Sequence, residues 1–245
     1  MKKRIICCLV VLIVMVSMFS CATPTLKRTD GAYVHEKTGI TYQFAPAAYS
    51  AEASGEAIAR LVRDVAGEES LYAIEGQPTE HYLVTASGRV LYAESVALPT
   101  LSDFSVSEAR LYSYALNMAT VEIVTDAAQL RTLQSLCAGE VSFDADQIDP
   151  QTSRNSYELR FLGTGTCLGL SYSVQYWQCA ESVLIYEEID SQAAAEALYP
   201  DIPFTFVEEE GVTYACYDFG RYLFYNPTDG RCWAAGAILS SMLSA

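Results

Sequence analysis

The chain has 245 residues, of which 30 are acidic and 15 basic, giving a net charge of −15. All the acids lie beyond residue 22 and three of the basic residues before it, so the remainder sets 12 cations against 30 anions, a net −18. Phosphate binding calls for a basic surface, so this balance argues against nucleic acid as a partner and against electrostatic docking on anionic lipid headgroups.

The chain opens with Lys2, Lys3 and Arg4, followed by an apolar run from Ile5 to Phe19 interrupted only by Ser17. That run is 15 residues long. A helix rising about 1.5 Å per residue needs roughly 20 apolar residues to cross a bilayer, so the run suits the hydrophobic region of an export signal. It ends in Met18-Phe19-Ser20-Cys21-Ala22. A small residue ahead of a cysteine at the end of such a run resembles the signal of bacterial lipoproteins, with Met18 standing where leucine is usual and Phe19 bulkier than typical. The resemblance covers residues 1–21 alone and implies cleavage before Cys21 and acylation of its thiol. Two other fates stay open: ordinary signal cleavage after Ala22, and an uncut membrane anchor. Diacylglycerol on Cys21 would add about 0.8 kcal/mol per buried methylene, enough with two or three chains for stable anchoring, and the resemblance implies that the protein sits on the extracytoplasmic face of the cell membrane. Residues 22–38 read as a tether with few apolar groups, and 39–245 as the folded part, large enough for a sizeable core.

Within the folded part, Ile40–Ala45 alternates as a strand does and stops at Pro46. Ser54 reads as the cap of a helix through Val65, with Ile58, Leu61, Val62 and Val65 on one face and Gly67 after it. Strands follow at Leu71–Glu75, His81–Ala86 and Arg89–Glu94, the last two forming a hairpin across Ser87-Gly88. Pro99–Ser105 reads as a crossing loop, and Leu111–Leu116 suits either helix or strand. Ala119–Val124 reads as a strand, and Thr125 or Asp126 caps a helix through Leu136. Asp144–Ser156 is an acidic loop. Tyr157–Leu162 and Cys167–Trp177 form a hairpin, Ser182–Glu187 a strand, and Ser191–Leu198 a helix stopped by Pro200. Val212–Tyr217, Arg221–Tyr225 and Arg231–Ala235 read as a three-strand meander, and Ala237–Leu243 as a final helical turn. Hairpins outnumber βαβ units, which predicts an α+β fold, mostly antiparallel sheet with two or three short helices. The loose similarity of the two halves raises an arrangement of two similar lobes, split near residues 99–107.

No chemical motif stands out. His35 and His81 are the two histidines, and neither a Cys-x-x-Cys nor a His-Glu-x-x-His accompanies them. There is no Gly-x-Ser-x-Gly elbow, phosphate loop or dinucleotide fingerprint. Asp144, Asp146 and Asp149 lack the ligand spacing of a calcium loop, because Ile148 and Asp149 stand where an acid and a glycine are needed. No metal or cofactor is therefore expected. Cys137, Cys167, Cys179, Cys216 and Cys232 are an odd set, so at least one is free or pairs between chains. A Cys167–Cys179 bridge across the hairpin remains open, whereas Cys216 and Cys232, on the outer strands of the expected meander, are too far apart. The aromatic residues Tyr172, Tyr176, Trp177, Tyr222, Tyr225 and Trp233 gather in the C-terminal strands. They are candidates to stack on a glycan or hold a peptide, although alternation along strands more often serves cross-strand packing. The function expected is a non-catalytic binding or assembly module of the cell envelope, with an envelope protein or glycan as partner. The alternatives are a solute-capture lipoprotein of a transporter and an envelope hydrolase whose site has no local signature.

Overall fold

A computed structural model describes residues 23–29, 31–63, 67–139 and 141–235. The signal segment with Cys21, and the helical turn expected at 237–243, lie outside the described residues. The protein is mostly sheet, with two α-helices among the described residues.

The first half closes into a barrel. Its strands are β1 (Thr25–Thr29), β2 (Ala32–His35), β3 (Thr41–Phe44), β5 (Ser54–Arg63), β6 (Gly67–Ala73), β7 (Tyr82–Thr85) and β8 (Val90–Ala93), while β4 (Tyr49–Ala51) leaves the barrel wall. The strand order is β1-β2-β3-β8-β7-β6-β5, and the ring is closed by a parallel pairing of β1 with β5, Leu26 opposite Leu61. Inward positions carry Leu26, Tyr33, Tyr42, Ala59, Leu61, Leu71, Leu83, Leu91 and Ala93, so the lumen is a packed core.

Two expectations change here. Residues 54–63, expected as a helix, are strand β5. Ala59 and Leu61, two apart, are the buried pair, and pairing with β1 on one side and β6 on the other outweighs local helix preference. Residues 25–29 and 32–35, expected within a tether, supply β1 and β2, anchored by the fully buried Leu26.

The second half is built on a large sheet. Its strands are β9 (Val106–Ser113), β10 (Ala119–Val124), β11 (Phe143–Asp144), β12 (Arg154–Gly163), β13 (Leu170–Cys179), β17 (Tyr222–Asn226) and β18 (Arg231–Ala234), in the order β10-β9-β12-β13-β17-β18-β11, with β4 added alongside β13. One face packs under helix α1 (Ala127–Cys137), burying Leu111, Leu159, Phe161, Val174, Tyr176 and Phe224 against Leu130 and Leu133. Of the two caps the sequence offers, Thr125 and Asp126, it is Asp126 that caps α1, accepting the Ala128 and Gln129 amides at 3.1 and 2.9 Å. Part of the opposite face is covered by a three-stranded sheet of β14 (Leu184–Glu187), β16 (Val212–Asp218) and β15 (Phe204–Glu209), with helix α2 (Gln192–Leu198). Trp177, Cys179, Leu223 and Cys232 are buried there against Ile185, Tyr217 and Phe219.

The expected meander is therefore split. β17 pairs with β18, but β16 pairs with β14 and β15 in the smaller sheet. The two halves are also not alike: the barrel holds no α-helix among its described residues, and both helices belong to the second half. All five described cysteines are free and buried, and Cys167 and Cys179 lie near opposite ends of β13.

Candidate functional site

The sheet's second face is only partly covered. Adjacent strands align Arg110 with Arg160 and Ser173, and Tyr112 with Glu158 and Gln175. These polar side chains share the face that, farther along the same strands, is buried under the smaller sheet. Where that cover ends, the segment from Ala45 to Ala51 rises beside it. Its amides and carbonyls are fastened on both sides: Ala51 N–H donates to Gly88 O at 3.1 Å in the barrel, and Ser173 N–H donates to Ala48 O at 2.8 Å in the sheet. Strand β4 continues the fastening by pairing Ser50 with Ser171 and Tyr49 with Tyr172.

Between these walls lies a cleft of about 490 Å³. The barrel side contributes Pro46, Ser50, Ser87 and Arg89, and the sheet side Tyr114, Glu158, Arg160, Ser173 and Gln175. The volume falls in the range of small-molecule sites, about 300–1,000 Å³.

The polar groups of the cleft have a definite order. Arg160 Nε and Nη2 both donate to Glu158 Oε1, at 2.9 and 2.7 Å, and Ser173 Oγ donates to the same oxygen at 2.9 Å. Tyr114 OH donates to Glu158 Oε2 at 3.4 Å. Burial first, and then the Glu158 charge, push the Tyr114 phenol above its ordinary value, so it stays protonated as a donor. The indole of Trp177 donates to Gln175 Oε1 at 3.0 Å; because that nitrogen can only donate, the oxygen is the engaged end of the Gln175 amide and its N–H2 is the end left to donate. Arg89 lays its guanidinium 3.9 Å from the centre of the Phe44 ring.

The residues singled out by sequence sit elsewhere. Tyr172, Tyr176, Tyr222 and Trp233 are on the α1 side of the sheet and Trp177 and Tyr225 on the other, so the six share no common face. Tyr176 stacks on Tyr222 with centroids 6.1 Å apart, Trp177 on Tyr225 at 4.4 Å, and Trp233 Nε1 donates to Leu136 O at 2.8 Å. These contacts are packing inside the fold, with only Tyr172 and Trp233 reaching a second depression of about 310 Å³ beside Arg231. Asp144 pairs with Arg231 at 2.9 Å, and Asp149 accepts the Gln151 amide. No group of three metal-ligating side chains converges among the described residues.

The cleft residues were missed because Arg89 and Arg160 are far apart in sequence. One signal was present: Glu108-Ala109-Arg110 and Glu158-Leu159-Arg160 each alternate acid, apolar, base. On strands, that spacing puts an ion pair on one face and a core residue on the other. Compared with family models, curated proteins and solved structures, the chain matches none.

Proposed function

We propose that the protein is a lipid-anchored binding module of the bacterial cell envelope, held on the extracytoplasmic face through Cys21, which captures a small ligand in the cleft between barrel and sheet. The observation that carries the binding half is the cleft itself, walled by a segment hydrogen-bonded to both halves of the fold. Binding without catalysis is supported by Glu158, the one carboxylate among the described lining residues. It is committed to Arg160, Ser173 and Tyr114, whereas a general acid or base needs a proton path to substrate. The anchor rests on the signal sequence: the −18 charge beyond residue 22 disfavours electrostatic docking on an anionic membrane and leaves acylation, or an uncut signal, to hold the protein there.

Native mass spectrometry of protein extracted gently from membranes tests both halves. The expected species begins at an acylated Cys21 and retains a non-covalent small molecule that the cleft-filling variant Ser50→Trp loses. An unmodified Cys21, or equal retention by the variant, contradicts the corresponding half.

A further inference from the structure

The ligand's charge follows from which groups the cleft leaves unused. Its carboxylate and amide acceptors are engaged from within: Glu158 Oε1 takes two N–H groups of Arg160 and the Ser173 hydroxyl, Glu158 Oε2 takes Tyr114, and Gln175 Oε1 takes the Trp177 indole. Beside the Ser50 and Ser87 hydroxyls, which donate or accept, the charged and amide groups that remain are donors. Arg160 spends Nε and Nη2 on Glu158 and keeps Nη1. Arg89 has its guanidinium on the Phe44 ring and no ion pair among the described residues. Gln175 keeps its amide N–H2. Charge agrees with this count: two arginines against one carboxylate leave the lining at net +1, although the residues beyond 22 together carry −18. Two of only 12 cations beyond residue 22 thus face one cleft.

Resting on the reading that this cleft is the binding site, we propose that its ligand is an oxyanion carried on a molecule of about disaccharide size. The anionic group meets Arg89 and the outward edge of Arg160, and the Gln175 amide donates to a neighbouring oxygen. Arginine's planar fork matches carboxylate and phosphate geometry alike, so both belong to the same chemistry. The size follows from the volume, since a lone inorganic ion leaves most of about 490 Å³ unfilled. Pro46 and Val90 supply apolar wall for the rest of the molecule.

Calorimetric titration of the full mature chain with digalacturonate, citrate, inorganic phosphate and a neutral disaccharide tests this. At least one oxyanion should bind, the neutral disaccharide should not, and affinity should fall as salt rises. Arg89→Gln should weaken that binding about tenfold or more, the usual loss when a charge-assisted hydrogen bond disappears. Arg89 is exposed, so its loss leaves the fold intact. Arg160→Lys is the second variant: one ammonium must then serve Glu158, leaving no outward fork. A preference for phosphate over digalacturonate identifies the oxyanion as phosphate, and the reverse as carboxylate. Equal binding of the neutral disaccharide, unaffected by Arg89→Gln, overturns the inference and leaves the cleft as the binding site. Silence from every oxyanion also overturns it. If Ser50→Trp at the same time fails to alter ligand retention, the binding reading falls with it.

Discussion

The cleft exists because barrel and sheet are held in one relative position, and Gly169 is one place where their backbones pass close together. Gly169 precedes β13 and has φ +79. A Cβ added there would fall inside contact distance of Glu75 O and 2.8 Å from Ile74 Cγ2, both in the barrel half. Ile74 is 2% exposed and cannot swing away, and a backbone carbonyl cannot either. Gly169→Ala therefore combines two costs: about 1–2 kcal/mol for a side chain in the left-handed region, and about 1–3 kcal/mol for overpacking. The sum, about 3 kcal/mol, corresponds to a fall in Tm of roughly 6–12 °C for a chain of this size. Gly165→Ala is the matched control, with φ +59 and nothing within 4 Å of the added Cβ, so it carries only the conformational part, about 1 kcal/mol. Urea unfolding of both variants beside wild type measures the difference. If Gly169→Ala costs no more than Gly165→Ala, the barrel–sheet contact is not the rigid joint described above. Gly169 leads directly into β13, whose Leu170, Ser171 and Tyr172 pair with β4, so a displacement there also moves the wall of the cleft. Ligand affinity should therefore drop in Gly169→Ala and not in Gly165→Ala.

Other outcomes follow from burial and pairing. Burial raises the phenols of Tyr42, Tyr49 and Tyr199 from 10.0 to about 12, so the folded state keeps protons that the unfolded state releases. Their stabilisation is fully present below pH 10 and is lost as pH rises from 10 through about 12; spectroscopic alkaline titration should show these tyrosines ionising only with unfolding, and ionisation of all tyrosines near pH 10 with the fold intact would contradict it. Tyr176 is fully buried and its hydroxyl has no protein hydrogen-bond partner among the described residues, so Tyr176→Phe should be neutral or stabilise by about 1 kcal/mol in denaturant unfolding, and a loss of stability would mean the hydroxyl is satisfied. Cys137, Cys167, Cys179, Cys216 and Cys232 should react slowly with a thiol reagent in the native protein and yield five thiols on denaturation, unchanged by prior reduction; any reduction-dependent increase would reveal a disulfide. Asp126→Ala, removing the α1 cap, should cost about 1 kcal/mol by the same unfolding assay, with no effect on ligand affinity.

Local chemistry was legible and partner choice was not. The helix start at Thr125 or Asp126, the short helix near Ser191–Leu198, the Ser87-Gly88 turn and the β12–β13 hairpin are decided by residues within a few positions of one another, and all appear where the sequence indicates. Strand β5 failed because its apolar residues at 58, 61 and 62 fit a helical period as well as a strand. Its identity is fixed by β1, some 35 residues earlier, through the Leu26–Leu61 pairing. Strand β1 was itself invisible because Thr-Leu-Lys-Arg-Thr buries a single side chain. The meander failed for a related reason: three strands in succession were assumed to be neighbours, yet β16 finds its partners in β14 and β15. The cleft inherits this difficulty. Arg89 comes from the turn of one hairpin and Arg160 from the middle of another, and only the fastening of residues 45–51 to both halves brings them to one space. The aromatic residues drew attention through number, but number measures the core they fill.

Hydrogen exchange of the mature chain, with and without the oxyanion that binds it, tests the central claim most directly. Ligand-dependent protection should fall on residues 45–51, 87–90, 158–160 and 173–175, the segments that wall the cleft. Protection confined to the outer face of β14, β16 and β15, or absent from all four segments, would contradict the cleft as the binding site.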